Sequence, residues 1–320
     1  MSEWRPSASL ETLAERATLL QQLRSFFLRR EVMEVETPLL SQGTVPDPGI
    51  EVFSVSSAAA AGAQRFLQTS PEFAMKRLLA AGAGDIFQIT KAFRQGEFGR
   101  HHNPEFTLLE WYRVGWDHAA LIREVAELIS EVLHCDGWQV WPYRTLFMDV
   151  LGIDPTQEGA EVADWVHIAR EQLGSIPENL DRDALLDLLM SHCIEPALRD
   201  CGLVFVTDFP ASQAALARTL DVGGMTVAAR FECYVGGQEL ANGYWEQTDA
   251  GALRKQLDAE NGRRQMRGLA PRPLDERLLA AQRQGLPDCA GVAMGVDRLL
   301  ALKLGADALA EAISFDWSRA

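Results

Sequence analysis

His102-Asn103-Pro104-Glu105-Phe106-Thr107-Leu108-Leu109-Glu110-Trp111-Tyr112-Arg113 carries most of the information in this chain. The run follows a charged loop that begins at Arg94. Its polar start gives way to an apolar stretch that still holds a glutamate and a tyrosine. Acids, a histidine and an arginine beside aromatic residues exceed what an ordinary core strand needs. The pattern predicts a strand that floors a polar pocket, suited to a substrate with both charge and a flat ring.

Working outward, the chain has 320 residues, enough for one large domain or two ordinary ones. A hydrophobic share of 47% without low-complexity tails indicates a globular chain throughout. The formal net charge of −15 argues against a protein whose affinity comes mainly from a nucleic-acid backbone. It leaves room for a small basic cleft. The five cysteines, at 135, 193, 201, 233 and 289, show no C-x-x-C spacing and read as reduced thiols. The first residues lack the apolar stretch of a signal peptide, and no run reaches the roughly 20 apolar residues that span a bilayer. A cytoplasmic protein is expected.

Apolar residues at helical spacing from Leu13 to Phe27 predict a helix over 10–31, followed by an extended segment to Pro38. Ser56 to Gln64, rich in Ala and Ser, reads as a hairpin tip or loose insert. Phe66–Thr69 reads as a strand, and Ser70-Pro71-Glu72 opens a helix to about Ala81. Strands over 85–92 and 106–113 flank the charged loop, and Asp117 caps a helix ending near Cys135. Residues 142–200 read as helical, with breaks at Pro155, Gly174 and Pro177. Strands follow over 203–207, 225–235 and 238–244, the last two joined through Gly236-Gly237. A helix over 250–267, a buried strand over 291–294 and a final helix from Gly295 complete the outline. Strand runs with helices between them predict an α+β fold with a mostly antiparallel sheet.

Three constellations carry chemistry. Arg94 in its loop offers a bidentate clamp for a phosphate or carboxylate, or else belongs to a solvated surface loop. Glu232, Glu239 and Glu246 stand seven and seven apart around the hairpin. Such carboxylates hold Mg²⁺ beside substrate phosphates, or else face solvent. Asn242-Gly243 weighs toward a site, since a strand glycine often marks close ligand approach. Gly291 to Gly295 leads into a helix whose N-terminal N–H groups suit an anion, with Arg298 one turn in. Other features carry less. No P-loop exists, Gly82-Ala83-Gly84 lacks a third glycine, and adjacent His101 and His102 make a poor metal pair. Asp181 to Asp187 reads as a solvated helix start, and Arg263, Arg264 and Arg267 as a solvated helix face.

In order, these pieces resemble the three motifs of class II aminoacyl-tRNA synthetases: helix 10–31 with the strand to Pro38, Phe93-Arg94 through Tyr112, and Gly291 through Arg298. Ser-Pro-Glu (70–72), His-Asn-Pro-Glu-Phe (102–106) and Glu-Leu-Ala-Asn-Gly (239–243) resemble the lysine-specific branch. Fewer than ten residues precede the first helix, so an anticodon-binding domain is not expected. Leu-Glu-Trp-Tyr-Arg (109–113), Phe-Pro-Ala-Ser-Gln (209–213) and Gly-Val-Ala-Met-Gly (291–295) are similar to the truncated paralogue family, the elongation factor P–(R)-β-lysine ligases.

The resemblance implies one catalytic domain over 1–320, with a helical insertion at about 142–200. It implies a ligase that activates β-lysine with ATP and attaches it to a lysine of elongation factor P, in a homodimer, with no membrane and no tRNA partner. By the same resemblance Arg94 holds the α-phosphate and substrate carboxylate, and Arg298 lies against adenine and the γ-phosphate. His102 and Asn103 lie near the phosphates, Phe106 stacks on adenine, and Glu232 and Glu239 bind Mg²⁺. Leu240 and Gly295 belong to the nucleotide site. Ser70, Pro71, Glu72, Asn242 and Ala293 belong to the amino-acid site, with Glu246 and Tyr112 receiving the distal ammonium. Arg94-Gln95-Gly96-Glu97 stands where the branch reads Arg-Asn-Glu-Gly: either Glu97 replaces the nucleotide-contacting glutamate, or that contact is lost. Ala293 stands where lysyl-tRNA synthetases have Gly, a methyl that favours a substrate whose amino group sits one carbon further along. Two other readings remain: a minimal synthetase charging tRNA, and a non-catalytic amino-acid-binding paralogue.

Overall fold

The computed structural model describes residues 4–56, 64–156 and 161–320. The expected tip between Ser56 and Gln64 lies almost wholly outside them.

Along the chain, α1 (Leu10–Leu28) is capped by Ser9, whose Oγ accepts from the Thr12 N–H at 3.0 Å. It ends three residues short of the expected 31, where Glu31 takes a positive φ. β1 (Met33–Glu34) follows, and β2 (Leu40–Ser41), β3 (Ser54–Ser56) and β4 (Gln64–Leu67) form a small three-stranded sheet. α2 (Glu72–Ala80) leads into the hairpin of β5 (Ile86–Phe93) and β6 (Glu105–Val114). α3 (His118–Leu133) starts where Asp117 accepts from Ala120 N–H at 2.7 Å.

β7 (Gln139–Pro142) precedes a helical block of α4 (Tyr143–Leu151), α5 (Val162–Leu173), α6 (Arg182–Leu189), a π-helical turn (Met190–Ile194) and α7 (Glu195–Ala197). β8 (Leu203–Pro210), β9 (Thr219–Val222) and later β11 (Gln238–Trp245) all run antiparallel to β10 (Met225–Val235). α8 (Ala250–Met266), α9 (Glu276–Gly285), β12 (Cys289–Gly295) and α10 (Val296–Leu304) close the chain.

The main sheet runs β1-β5-β6-β12-β11-β10-β8-β7, with β9 attached to β10. Among the described residues only β1–β5 and β7–β8 pair in parallel, so the sheet is mostly antiparallel, as the alternation of strands and turns implied. Period-two alternation sorts the side chains into two faces. On one face Leu109, Trp111, Val292, Met294, Ala241, Phe231 and Phe205 pack under α1, α3 and α10. On the other, Val204, Val206 and Tyr234 pack under the helical block at the β8 end. Between that block and the small sheet, the second face lies open as a cleft.

Arg113, at the end of the opening run, does not join the cleft. It is buried on the core side, ion-paired with Asp85 at 2.8 Å and Glu124 at 2.9 Å, while Trp111 Nε1 donates to Glu124 at 3.0 Å. Part of the polarity expected to line a pocket therefore bolts β6 to α3. Gly243 also serves the core: a Cβ there would collide with the Phe231 ring, so packing rather than ligand approach demands the glycine. Arg264 is buried as well, and bonds the carbonyls of Asp47 and Ala270 and the Glu51 carboxylate rather than facing solvent.

Candidate active site

The cleft encloses about 690 Å³. Its floor is a register row across four strands: Glu110 on β6 opposite Ala293 on β12, Ala293 opposite Asn242 on β11, and Asn242 opposite Glu232 on β10. A second row carries Tyr112, Gly291, Tyr244 and Arg230 in the same order. Carboxylates, an amide and a guanidinium thus come together from parts of the chain up to 132 residues apart because alternation keeps them on one face.

The β6 end is an acidic pocket. Glu110 is buried, and its carboxylate accepts from Ser70 Oγ at 2.6 Å and Tyr112 Oη at 2.8 Å. Burial first, and the nearby Glu72 second, push its pKa up to about 7, against the pull of those two hydrogen bonds and Lys76. Ser70 Oγ also accepts from the Glu72 N–H, which starts α2 with its acidic first turn at the cleft. Glu246 lines the cleft, and Lys76 Nζ stands behind it as a shared counter-ion, 2.5 Å from Glu246 Oε2 and 2.5 Å from Glu72 Oε1. Burial pushes the Glu246 carboxyl up, and Lys76 pulls it back. Glu246 and Tyr112, expected at the distal ammonium, thus both line the pocket, with Glu110 a third group bonded to Tyr112. Gly291 is obligatory here, since a Cβ would overlap the Tyr112 ring and Glu246 Oε1.

The opposite end is built for anions and a cation. Arg94, at the close of β5, lies 5.1 Å over the Phe106 ring and 3.6 Å from Glu97. Its buried Nε finds no partner among the described residues. Arg298 Nη1 donates to the Glu239 carbonyl at 2.6 Å, and its Nη2 lies 2.8 Å from His102 Nε2. Burial and the Arg298 charge lower the His102 pKa, so a neutral imidazole accepts from the guanidinium. Gly295 caps α10 and leaves its backbone open, with only Arg298 side-chain atoms at ordinary contact distance. Asp297, next in that turn, is buried and binds Arg16 of α1 at 2.6 Å and the Thr107 N–H at 2.7 Å.

Glu232 is buried and bonded by Arg230, Tyr234 Oη and Asn242 Nδ2, the last at 3.3 Å. Burial raises its carboxyl pKa and Glu239 adds to the rise, so the two glutamates repel across the cleft. Among the described residues no three His, Cys, Asp or Glu side chains converge as a metal cage. Mg²⁺ commonly takes only one or two carboxylates with phosphate oxygens and water. The repelling pair Glu232 and Glu239 fits that donor set, with Glu239 the freer ligand.

Nearly all the expected site residues line this one cleft: Ser70, Pro71 and Glu72 at the α2 start; Arg94, Glu97, His102, Asn103, Phe106 and Tyr112 around the β5–β6 hairpin; and Glu232, Glu239, Leu240, Asn242, Glu246, Ala293, Gly295 and Arg298 beyond it. Gln95 and Gly96 are not among the lining residues. The Gln95 N–H is tied to the Glu51 carbonyl at 2.8 Å, and Gly96 turns the chain at φ +85°, a conformation that favours glycine. The altered tetrad is thus a turn that delivers Glu97 to the cleft. Asn103 is committed elsewhere: its amide donates to the Glu105 carbonyl at 2.6 Å and accepts from the Trp317 N–H at 2.8 Å. It holds the C-terminal segment against the loop. Lys76 and Arg230 are charged lining or supporting residues that were not singled out from the sequence.

The family model for class II tRNA synthetases of the D, K and N type matches residues 2–318. An elongation factor P–(R)-β-lysine ligase of Vibrio cholerae is 47% identical over an alignment covering 100% of this chain and 99% of that protein. The ligases of the same name from Vibrio campbellii and Pectobacterium atrosepticum are 47% and 45% identical over 98% and 100% of this chain, and 97% and 99% of theirs. The chain belongs to the elongation factor P–(R)-β-lysine ligase family. Within that family, the alternating floor of Glu110, Ala293, Asn242 and Glu232 is the class II synthetase sheet with its cleft face exposed. No helix among the described residues is long and apolar enough to cross a membrane.

Proposed function

We propose that the protein activates (R)-β-lysine with ATP, forming an aminoacyl-adenylate and pyrophosphate, and then transfers the aminoacyl group to a lysine side chain of elongation factor P. The observation that carries this reading is the polarity of the cleft: an acidic pocket for ammonium groups at one end, and Arg94 and Arg298 for phosphates at the other. Family membership over the whole chain supports the same reaction and acceptor.

In this mechanism Arg94 bridges the substrate carboxylate and the α-phosphate. Arg94 lines the cleft over the Phe106 ring, and its orphan Nε leaves a donor free for an anion. Drawing two anions onto one cation lowers their repulsion as the carboxylate attacks in line and pyrophosphate leaves. Arg298, oriented by His102 and the Glu239 carbonyl, meets the nucleotide from α10. Phe106 offers a face to adenine. Glu232 and Glu239 would hold Mg²⁺, which would supply charge neutralisation at the phosphates. Glu246 and Tyr112, with Glu110 seated by Ser70 beside them, receive the distal ammonium, while Glu72 and Asn242 meet the head group. The buried Asn242 Oδ1, without a partner among the described residues, is an acceptor available for that contact. The Ala293 methyl lies between Glu110 and Asn242 in the floor row and fills space above the strand between them. No side chain is required as a covalent nucleophile.

The whole chain acts as one catalytic unit in the cytoplasm, with the 142–200 block as an insertion that walls the cleft. A homodimer through the α1 side is supported by exposed Leu28 and Met33 at the end of that helix and the start of β1. ATP–pyrophosphate exchange with (R)-β-lysine, α-lysine and ornithine tests the activation step. Fastest exchange with (R)-β-lysine supports the proposal, and absence of exchange with every lysine isomer overturns it in favour of a non-catalytic binder.

A further inference from the structure

The loop that carries His102 is fastened on both sides of that residue to the chain that follows α10. Before it, the Leu309 N–H donates to the Arg100 carbonyl at 2.8 Å, and Arg100 Nε donates to the Asp307 carbonyl at 2.7 Å. After it, the Trp317 N–H donates to Asn103 Oδ1 at 2.8 Å, and Asn103 Nδ2 donates to the Glu105 carbonyl at 2.6 Å. Gly99 and His102 exchange backbone hydrogen bonds at 3.1 and 3.4 Å, which closes the turn between the two fasteners. The Arg100–Asp307 ion pair is exposed and adds little by itself. More weight falls on Asn103, which is buried, so that its amide oxygen is costly to leave without a donor.

The fastening segment is itself firmly seated. The Ser7 N–H donates to the Ser314 carbonyl at 2.7 Å, and the Asp316 N–H donates to Ser7 Oγ at 3.0 Å. Arg319 Nη1 donates to the Pro6 carbonyl at 2.9 Å, and the Trp317 ring tilts against Phe53 with centroids 6.2 Å apart. One continuous stretch after β12 therefore supplies Arg298, the fasteners for the loop, and through Arg298 the partner of His102 Nε2 at 2.8 Å. A loop with glycines at 96 and 99 loses conformational entropy when it is ordered. If that cost falls at nucleotide binding it weakens affinity; if it falls during folding it does not.

We propose that the segment from Asp307 to Trp317 is a latch that orders the Gly99–Asn103 loop before the nucleotide arrives. The Trp317 N–H and the Asn103 amide are its positioning groups for ATP binding. The inference rests on the activation reaction proposed above, in which His102 and Arg298 meet the nucleotide. Asn103 lines the cleft while its side-chain amide engages the latch, so it acts on the nucleotide by holding the loop.

The test compares wild type, Trp317→Pro, Trp317→Ala and Asn103→Ala. Trp317 is the second residue of a turn closed by the Arg319 N–H on the Asp316 carbonyl at 2.9 Å, a position that accepts proline. Trp317→Pro thus deletes the N–H, whereas Trp317→Ala deletes only the ring. Hydrogen exchange of the 99–103 amides is read in nucleotide-free protein, and KM values by pyrophosphate exchange. In Trp317→Pro these amides are expected to exchange about tenfold faster or more, with KM for ATP raised about tenfold. KM for (R)-β-lysine is expected to stay within about twofold, and Trp317→Ala to keep KM for ATP within about threefold of wild type. Unchanged loop exchange in Trp317→Pro overturns the proposal. So does a Trp317→Ala variant as impaired as Trp317→Pro, which would assign the effect to the ring. If Trp317→Pro fails to fold, Asn103→Ala removes the same bond from the other side and decides: faster loop exchange with a raised KM for ATP supports the latch, and unchanged exchange refutes it. Wild-type protein that exchanges no pyrophosphate would instead refute the activation reaction, and the amide comparison would still decide the latch.

Discussion

The state of Glu110 makes a pH prediction that separates it from its neighbours. Its carboxyl is held near pKa 7 by burial and by Glu72, so it is about one-tenth ionised at pH 6 and about nine-tenths at pH 8. A distal ammonium, with an ordinary pKa of about 10.4, stays charged throughout and needs the ionised carboxylate. Affinity for (R)-β-lysine should therefore rise about tenfold from pH 6 to pH 8, with proton release on binding at pH 7. Glu110→Gln removes the titrating group. Binding should weaken by about 2–5 kcal/mol and lose that pH dependence. The stability of the free protein carries the matching sign. A raised carboxyl pKa means that the native state holds more protons than the unfolded chain between about pH 4.5 and pH 7. Stability from this group therefore falls as pH rises through that window, by about 3 kcal/mol. Calorimetric titrations of wild type and Glu110→Gln at several pH values read the binding part, and urea unfolding across the same range reads the stability part. A wild-type affinity that does not change from pH 6 to 8 would refute the reasoning, as would an unchanged slope in Glu110→Gln, which would point to Glu246 as the titrating group.

Three further outcomes follow from the floor of the cleft. Ala293→Gly removes the methyl between Glu110 and Asn242 and should shift preference toward α-lysine by about 1–3 kcal/mol, read as the ratio of kcat/KM values for the two isomers in exchange. Gly291→Ala drives a Cβ into the Tyr112 ring and Glu246 and should cost about 1–3 kcal/mol of stability, visible as a lower urea midpoint along with a raised amino-acid KM. Arg298→Met removes the contacts to His102 and the Glu239 carbonyl; exchange should fall by about a hundredfold or more while the melting temperature stays close to that of wild type.

Strand alternation made much of this legible from the sequence. The run from His102 to Arg113 identified a strand with polar residues on a buried surface, and the hairpin over 225–244 appeared with its turn in place. Alternation says which residues share a face, but not what lies above that face. Glu110 and Arg113 therefore looked alike as pocket charges, although one floors the cleft and the other braces α3. Lys76 was hidden for a related reason. Four residues after Glu72 on a helix, it reads as a solvated surface pair. Only the meeting of α2 with the end of β11 buries it against Glu246. Gly243 misled because a strand glycine answers to whichever face is crowded, here the core side at Phe231. β9, with four residues, and α9, behind the prolines at 271 and 273, are too short or too polar to stand out against their surroundings. The Glu97 question was geometric: the positive φ at Gly96 explains why glycine stands there, and no spacing rule could supply it.

The central claim is that a lysine of a protein, not the end of a tRNA, accepts the activated amino acid. Incubating the protein with labelled (R)-β-lysine, ATP and Mg²⁺, with elongation factor P and tRNA supplied in parallel reactions, measures it directly. Label on a lysine of elongation factor P, with none on tRNA, is the expected result. Label on tRNA and none on elongation factor P would contradict it.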